Sequence, residues 1–259
     1  MKVIYENPGV DYMIRQIMAF QTEEESAFWS APLYHFYPQL DKTHAESLPF
    51  AQRCAYIEET MRTVYAQIEP QINEKVRMYT AEWALRQPQI EDALSDAFGV
   101  DCSSLFQDLR CRVCMNPVEP RYLREQCFDT FYLNSPKGAI GEAIHEIIHF
   151  VWFYVWNRLF GDDYAEYERP SMKWILSEMV VESVMRDPRL SQINPYFPRE
   201  HGGCIYPYFF NMEVDGENVL DKLDAMYRSR DIEAFMKDSY AYCCRHEAQI
   251  RAHIRKSEG

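Results

Sequence analysis

The segment HEIIH at residues 145–149 places two histidines and a glutamate at a spacing that suits metal-assisted hydrolysis. On a helix, His145 and His149 lie about 40° apart and one turn along, so both imidazoles can meet one ion at about 2.0–2.1 Å. Glu146 projects to the same side, about 60° from His149. It can therefore act as a base towards a water on the ion without binding the ion itself. The spacing predicts two metal ligands and a general base on one helix face.

The residues around this segment predict that its helix is buried. Aliphatic residues recur on most sides of the helix. They are Ile140, Ala143, Ile144, Ile147, Ile148, Val151 and Val155. Burying two histidines and a glutamate costs free energy unless these side chains are paired or bind a metal. We interpret them as a metal site, and the alternative is a set of core histidines satisfied by hydrogen bonds.

A third protein ligand is predicted from the next helical segment. Motifs with a third histidine six residues after the second are excluded, because Val155 and Trp152 occupy the positions of that histidine and of its preceding glycine. Residues 171–186 supply Glu178 and Glu182, one turn apart on a shared face. Glu178 is predicted to bind the ion. Glu182 is predicted to accept the second ring N–H of a ligand histidine and so fix its tautomer.

Two other carboxylates compete with Glu178 for the role of third ligand. Glu166 and Glu168 are nearer to His149 in the sequence, in a tyrosine-rich loop before Pro170. A helix holds a ligand more rigidly than a loop does, so we favour Glu178.

These residues resemble the gluzincins, the Glu-ligated zinc peptidases that include thermolysin. In that group HExxH is followed by a helix that carries a ligand glutamate and, four residues later, an acidic residue. The resemblance covers residues 125–186, with Glu182 in place of the commoner aspartate. It implies a Zn²⁺ ion held by His145, His149 and Glu178, with Glu146 as the general base.

The same resemblance directs attention to possible substrate contacts. Peptidases of this type often use Tyr or His to stabilise the oxyanion, and residues 201–208 (HGGCIYPY) offer His201, Tyr206 and Tyr208. The alternative is that these aromatic residues only pack. The strand predicted at 127–133 directly precedes the motif helix, as the substrate-binding edge strand does in those peptidases. An interior strand without a free edge is the alternative.

Hydrophobic periodicity and turn residues predict a mainly helical α+β fold, with a small sheet beside a zincin-like active-site helix. Strands are expected at 109–115 and 127–133. Helices are expected at 10–30, 48–86 with a break at Pro70, 89–98, 139–160, 172–186, 217–228 and 231–255, with a loop at 189–212. We expect one compact unit over residues 1–259, made of a helical N-terminal subregion (1–100) and a zincin-like catalytic region (101–259).

The composition limits the classes of partner. The 259 residues carry 27 basic and 40 acidic side chains, a net charge of −13, without a basic run. That charge would repel a phosphate backbone or an anionic membrane surface, so we predict neither nucleic acid nor membrane as a partner. The N-terminus lacks the layout of a signal peptide, and the most apolar stretch is too short to span a bilayer. We expect a cytoplasmic protein.

Eight cysteines at irregular spacing are more typical of reduced thiols than of a disulfide framework in such a protein. Cys111 and Cys114 form a CxxC pair, which Cys102 and Cys127 could complete as a four-thiolate zinc site. If 111–114 is a strand, however, the two thiols face different ways. We therefore favour packing roles for these cysteines.

Together these patterns predict a zinc metallopeptidase, a hydrolase that acts on a peptide or protein substrate. Two alternatives remain open. One is a regulatory metalloprotein that cleaves one specific partner, and the other is a non-catalytic binding protein with a vestigial zinc site. The presence of Glu146 argues against the vestigial site, because metal binding alone does not require that residue.

Overall fold

The computed structural model describes residues 1–22, 27–195, 198–229 and 231–258. The helices in chain order are α1 (Val10–Ala19), α2 (Ala27–Phe36), α3 (Lys42–Ser47), α4 (Phe50–Phe98), α5 (Pro136–Phe160), α6 (Met172–Met185), α7 (Pro188–Ser191), α8 (Val219–Ser229), α9 (Ile232–Arg245) and α10 (Glu247–Glu258). The strands are β1 (Val3–Glu6), β2 (Leu109–Cys114), β3 (Arg121–Tyr122), β4 (Cys127–Phe131), β5 (Glu213–Val214) and β6 (Glu217–Asn218). The predicted mainly helical α+β class is confirmed. Within the described ranges, no helix combines the length and the apolarity that a bilayer crossing needs.

The larger sheet has the strand order β1-β2-β4-β3. β1, β2 and β4 run parallel, and β3 runs antiparallel to β4. Every residue of β4 is buried, as expected for a strand covered on both faces. β4 lies between two neighbours, so the hypothesis of a substrate-binding edge strand at 127–133 is wrong and the interior alternative holds.

Inter-residue contacts divide the chain into two compact units. The sheet unit consists of residues 2–84 and 108–140, and it contains the four-stranded sheet. The helical unit consists of residue 1, residues 85–107 and residues 141–259. Each unit is thus assembled from separate stretches of the chain. The predicted helical subregion at 1–100 also contains a strand, because β1 pairs with β2.

Helix α4 continues through both prolines in its sequence. A break was predicted at Pro70 and again before residue 89, and both predictions are wrong. Pro70 and Pro88 lie on the exposed side of the helix, where water can reach the carbonyls that lose their intrahelical partner. The opposite side of the helix forms one continuous buried apolar stripe, and the burial of this stripe favours an unbroken helix. Its members are Ile57, Met61, Val64, Ile72, Tyr79, Trp83, Ile90 and Leu94.

Other boundaries differ from the prediction in smaller ways. The helix predicted at 10–30 corresponds to α1 and α2, and its residues 23–26 lie outside the described part of the chain. The helix predicted at 231–255 is divided into α9 and α10 at His246. The strands predicted at 109–115 and 127–133 are confirmed as β2 and β4.

Candidate metal centre

Helices α5 and α6, both with clear local start signals, carry the candidate ligands. The side chain of Ser135 accepts a hydrogen bond from the N–H of Gly138 at the start of α5 (3.0 Å), and α5 ends before Gly161, whose φ is +67°. Ser171 caps α6 as predicted, accepting from the N–H of Trp174 at 3.0 Å. Every residue of α6 is buried except Lys173. The carboxylates of Glu178 and Glu182 on α6 therefore lie in the interior of the helical unit.

His145, His149 and Glu178 form one group. The Nε2 atoms of the two histidines are 3.2 Å apart. The Oε2 atom of Glu178 lies 3.6 Å from Nε2 of His149 and 3.9 Å from Nε2 of His145. One ligand atom from each of the three residues lies within 4.8 Å of the other two, and this is the one such group of three or more among the described residues.

These distances fit a tetrahedral ion. Two ligands at about 2.0–2.1 Å from a tetrahedral centre are separated by about 3.3–3.4 Å. The observed separations of 3.2 and 3.6 Å are close to this value, and the third, 3.9 Å, is longer. The donor set of two imidazoles and one carboxylate is the set of several catalytic zinc sites, and it leaves one position open. His149 is fully buried and Glu178 is 2% exposed, whereas His145 is half-buried. His145 is therefore the most exposed of the three candidate ligands.

Glu146 lies beside this group rather than in it. Its Oε1 atom is 3.9 Å from Nε2 of His145, and the residue is 4% exposed. This carboxylate is not a member of the His145, His149 and Glu178 group. Its role as a general base stays a prediction.

Glu182 has a different partner from the one predicted. Nε of Arg199 donates to both carboxylate oxygens of Glu182 at 2.9 and 3.1 Å, and Nη2 donates to Oε1 at 2.5 Å. A further arginine, Arg186, lies 3.7 Å away. The prediction that Glu182 accepts a histidine ring N–H is therefore wrong. A buried carboxylate needs a cation, and the guanidinium fork of Arg199 matches both oxygens at once.

Glu166 and Glu168, the two alternative third ligands, lie outside the group formed by His145, His149 and Glu178. Glu166 is exposed, accepts from Asp163 in a capping box and pairs with Lys173 at 2.5 Å. Glu168 is exposed at the end of the same 3₁₀ turn. Neither belongs to the metal group, which supports the choice of Glu178.

The aromatic candidates for the oxyanion lie in the 3₁₀ turns that follow α7. His201 is exposed at the end of the turn Arg199–His201. The ring of Tyr206 stacks on that of Tyr208 with centroids 5.2 Å apart, and it also contacts Trp174 of α6 at 5.9 Å. Tyr206 thus packs against the ligand-bearing helix, and its catalytic role and that of His201 stay predictions.

The cysteines do not form a second metal group among the described residues. Burial raises the pKa of Cys102 and of Cys127 to about 11, and burial raises that of Cys114 well above its usual value. Without a bound metal these groups are therefore thiols at neutral pH. The packing interpretation is the one that the structure supports.

Sequence reasoning missed Arg199 and Cys204. Arg199 follows α7 by eight residues and joins Glu182 to Asp221, at 2.9 Å from the latter. Cys204 lies near the carboxylates of Glu182 and Glu142, and burial followed by these charges raises its pKa to about 12. The only signal for Arg199 was indirect, since a buried glutamate on a largely apolar helix requires a cation from elsewhere.

No protein-family model matches the chain, and no curated protein or solved structure matches it either. The function must therefore be inferred from the geometry and chemistry of the metal group.

Proposed function

We propose that this protein is a zinc-dependent metallopeptidase of the gluzincin type, which hydrolyses peptide bonds with Glu146 as the general base. One observation carries the proposal. His145, His149 and Glu178 bring their ligand atoms within 4.8 Å of one another, and the Glu146 carboxylate lies 3.9 Å from the nearest of these ligand atoms on the same helix.

Each residue has a defined task in this proposal. His145, His149 and Glu178 hold the ion, leaving one of four positions open. Zinc, when bound there, lowers the pKa of water and polarises a carbonyl group. Glu146 accepts the proton of the attacking water and delivers it to the leaving amine. Because Glu146 sits on the helix that carries two of the ligands, its distance from the reacting atoms is set by helix geometry.

The proposal extends to the substrate and its contacts. Tyr206 and His201 are candidates for stabilising the oxyanion, supported by the contact of Tyr206 with α6. The substrate is a peptide or a protein. A cytoplasmic location belongs to the proposal as well, supported by eight cysteines that are not joined by disulfides.

The test combines metal analysis with peptide hydrolysis. Atomic emission should find about one zinc per chain, and mass spectrometry should show cleavage of a mixed-sequence octapeptide library. Glu146→Gln should keep the zinc and lose at least about 10²-fold in cleavage rate, the scale of a lost general base. A Glu146→Gln protein with full activity, or a zinc-loaded wild type that cleaves no member of the library, would contradict the proposal.

The ligand assignment has a matched control. Glu178→Gln should lose zinc, whereas Glu166→Gln removes a carboxylate of equal size from the neighbouring exposed turn and should keep it. The reverse outcome would show that the loop, and not α6, supplies the third ligand.

A further inference from the structure

Helix α6 carries two buried carboxylates of the same chemical type. Glu178 is 2% exposed and Glu182 is 1% exposed. The two residues are one helical turn apart, about 6 Å along the axis and about 40° around it, so they share a face of the helix. Among the described residues, only Glu178 belongs to the group with His145 and His149. The structure therefore distinguishes between two carboxylates that the helix itself presents in the same way.

The partners of the two carboxylates account for this distinction. Oε2 of Glu178 lies 3.6 Å from Nε2 of His149. Both oxygens of Glu182 accept from the guanidinium of Arg199, through three contacts of 2.5–3.1 Å. A carboxylate uses the same oxygens to bind a zinc ion and to accept from a guanidinium. Arg199 thus occupies the atoms with which Glu182 would otherwise bind the ion.

The guanidinium of Arg199 is held in place from a second direction. Its Nη2 atom also donates to Asp221 of α8 at 2.9 Å. Arg186 approaches the same carboxylate less closely, since its Nη1 atom is 3.7 Å from Glu182 and 3.8 Å from Asp224. These distances exceed the range of a hydrogen bond. Arg199 is therefore the cation that fixes the orientation of the Glu182 carboxylate.

The loss of Arg199 would change what is favourable for Glu182. A buried carboxylate without a cation is strongly disfavoured, and like charges one turn apart on a helix repel each other. A metal ion beside Glu178 would then be the nearest strong positive charge. We propose that Arg199 is a positioning residue that holds Glu182 away from the metal ion, so that α6 contributes Glu178 as its single ligand.

The number of protein ligands decides what such a site can do. A zinc ion with four protein ligands is typical of structural sites, whereas catalytic sites have three and keep one position for water or substrate. By engaging Glu182, Arg199 keeps the fourth position open. The inference rests on the metal binding in the proposed function, and it explains how the site stays at three protein ligands.

The experiment measures zinc affinity and requires no catalytic activity. The Kd for Zn²⁺ is determined in metal-free protein by competition with a chromogenic chelator. Glu178→Gln should raise this Kd because a ligand is lost. Adding Arg199→Met to Glu178→Gln should lower the Kd again, by about 10- to 100-fold, because Glu182 is released to replace the lost ligand. A purely structural role for Arg199 predicts a lower Tm with a Kd that is unchanged or higher still.

Two controls test whether the recovery comes from Glu182. The triple variant Glu178→Gln/Glu182→Gln/Arg199→Met should bind zinc as weakly as Glu178→Gln does. Arg189 is the matched cation, because its guanidinium donates to Asp187 through two bonds of 2.8 and 2.6 Å directly after α6. Adding Arg189→Met to Glu178→Gln should leave the Kd unaltered. Recovery of zinc affinity in either control would overturn the inference.

A second variant covers the case in which Arg199→Met does not fold. Arg199→Gln removes the charge but retains an amide that can donate to Glu182, so its loss of stability should be smaller. In the Glu178→Gln background it should also lower the Kd for Zn²⁺. An unchanged Kd in this folded variant would contradict the role assigned to Arg199.

Failure of this inference can be told apart from failure of the proposed function. If the wild type binds zinc and Arg199→Met restores no affinity to Glu178→Gln, the inference is wrong and the peptidase proposal stands. If the wild type binds zinc but cleaves no peptide, the peptidase proposal fails, while the zinc affinities still decide the role of Arg199. A wild type that binds no zinc would refute both.

Discussion

The two units accommodate buried acidic side chains in different ways. In the helical unit, Glu182 is 1% exposed and receives three hydrogen bonds from Arg199. In the sheet unit, Asp129 is fully buried on β4 and accepts from the Tyr12 hydroxyl at 2.8 Å. The guanidinium of Arg112 donates to that hydroxyl, also at 2.8 Å.

Glu119 of the sheet unit follows the pattern of Asp129. The side chain is half-buried, and its Oε1 atom accepts from the N–H of Phe131 at 2.5 Å, from Asn134 at 2.7 Å and from Thr130 at 3.1 Å. All three donors are neutral. Burial raises the pKa of Glu119 to about 7. The three hydrogen bonds lower this pKa and the charge of Asp129 raises it, but burial has the largest effect.

The two units thus compensate the burial of a carboxyl group in two different ways. A carboxylate removed from water needs a positive partner or a proton. The helical unit supplies positive partners, a guanidinium for Glu182 and, in our proposal, a zinc ion for Glu178. The sheet unit supplies neutral donors to Asp129 and Glu119, and burial raises the pKa of both carboxyl groups to about 7.

The largest expected effect follows from removing the cation beside Glu182. Arg199→Met leaves a buried carboxylate with only the more distant Arg186, and it should lower the free energy of unfolding by about 3–5 kcal/mol. Urea titration in the presence of a chelator measures this without a contribution from metal. The double variant Glu182→Met/Arg199→Met should recover most of the loss, and a double variant as unstable as Arg199→Met would show that the charge is not the cause.

An intermediate effect is expected from Asp129 in the sheet unit. Burial raises its pKa from 3.8 to about 7, against smaller opposing effects of the Tyr12 hydrogen bond and the charge of Arg112. The folded state therefore holds a proton that the unfolded chain releases. This contribution is complete below about pH 4 and is lost as the pH rises to about 7, a change of about 2–4 kcal/mol.

Asp129→Asn should remove that dependence. Urea titrations at pH 4.5 and pH 7.5 should show a smaller fall in the free energy of unfolding for the variant than for the wild type. An equal fall in both proteins would mean that Asp129 is ionised throughout, and the contrast between the units would disappear.

The smallest effect concerns a neutral hydrogen bond. The Tyr79 hydroxyl donates to the carbonyl of Asn134 at 2.7 Å in the turn that leads to α5. Tyr79→Phe should cost about 1 kcal/mol. Tyr5→Phe is its matched control, because the Tyr5 hydroxyl is buried without a hydrogen-bond partner in the described part of the chain. Thermal unfolding of the two variants should give a lower Tm for Tyr79→Phe only.

The predictions that succeeded depended on local signals. Ser171 and Gly161 marked helix ends, alternation and aromatic content marked β2 and β4, and the four-residue spacing on α5 brought His145 and His149 together. The proximity of Glu178 to both histidines agrees with the sequence pattern, which placed the third candidate ligand on the next helix.

The features that were missed depend on residues distant in the sequence. Arg199 reaches Glu182 across 17 positions, and β1 pairs with β2 across more than 100. No local propensity encodes such a partner. The continuity of α4 through Pro70 was missed for a related reason, because the burial of its far side outweighs a local break signal.

The way in which the chain is shared between the units has a consequence for its synthesis. The sheet unit ends at residue 140, and the first candidate ligand is residue 145. A ribosome that adds about 5–20 residues per second thus delivers every residue of the sheet unit before the first metal-binding histidine. Residues 85–107 of the helical unit have also been made by then, and they must wait for partners that are still to be translated. The nascent protein accordingly passes through a stage in which every residue of the sheet unit has been synthesised and none of the three candidate ligands has.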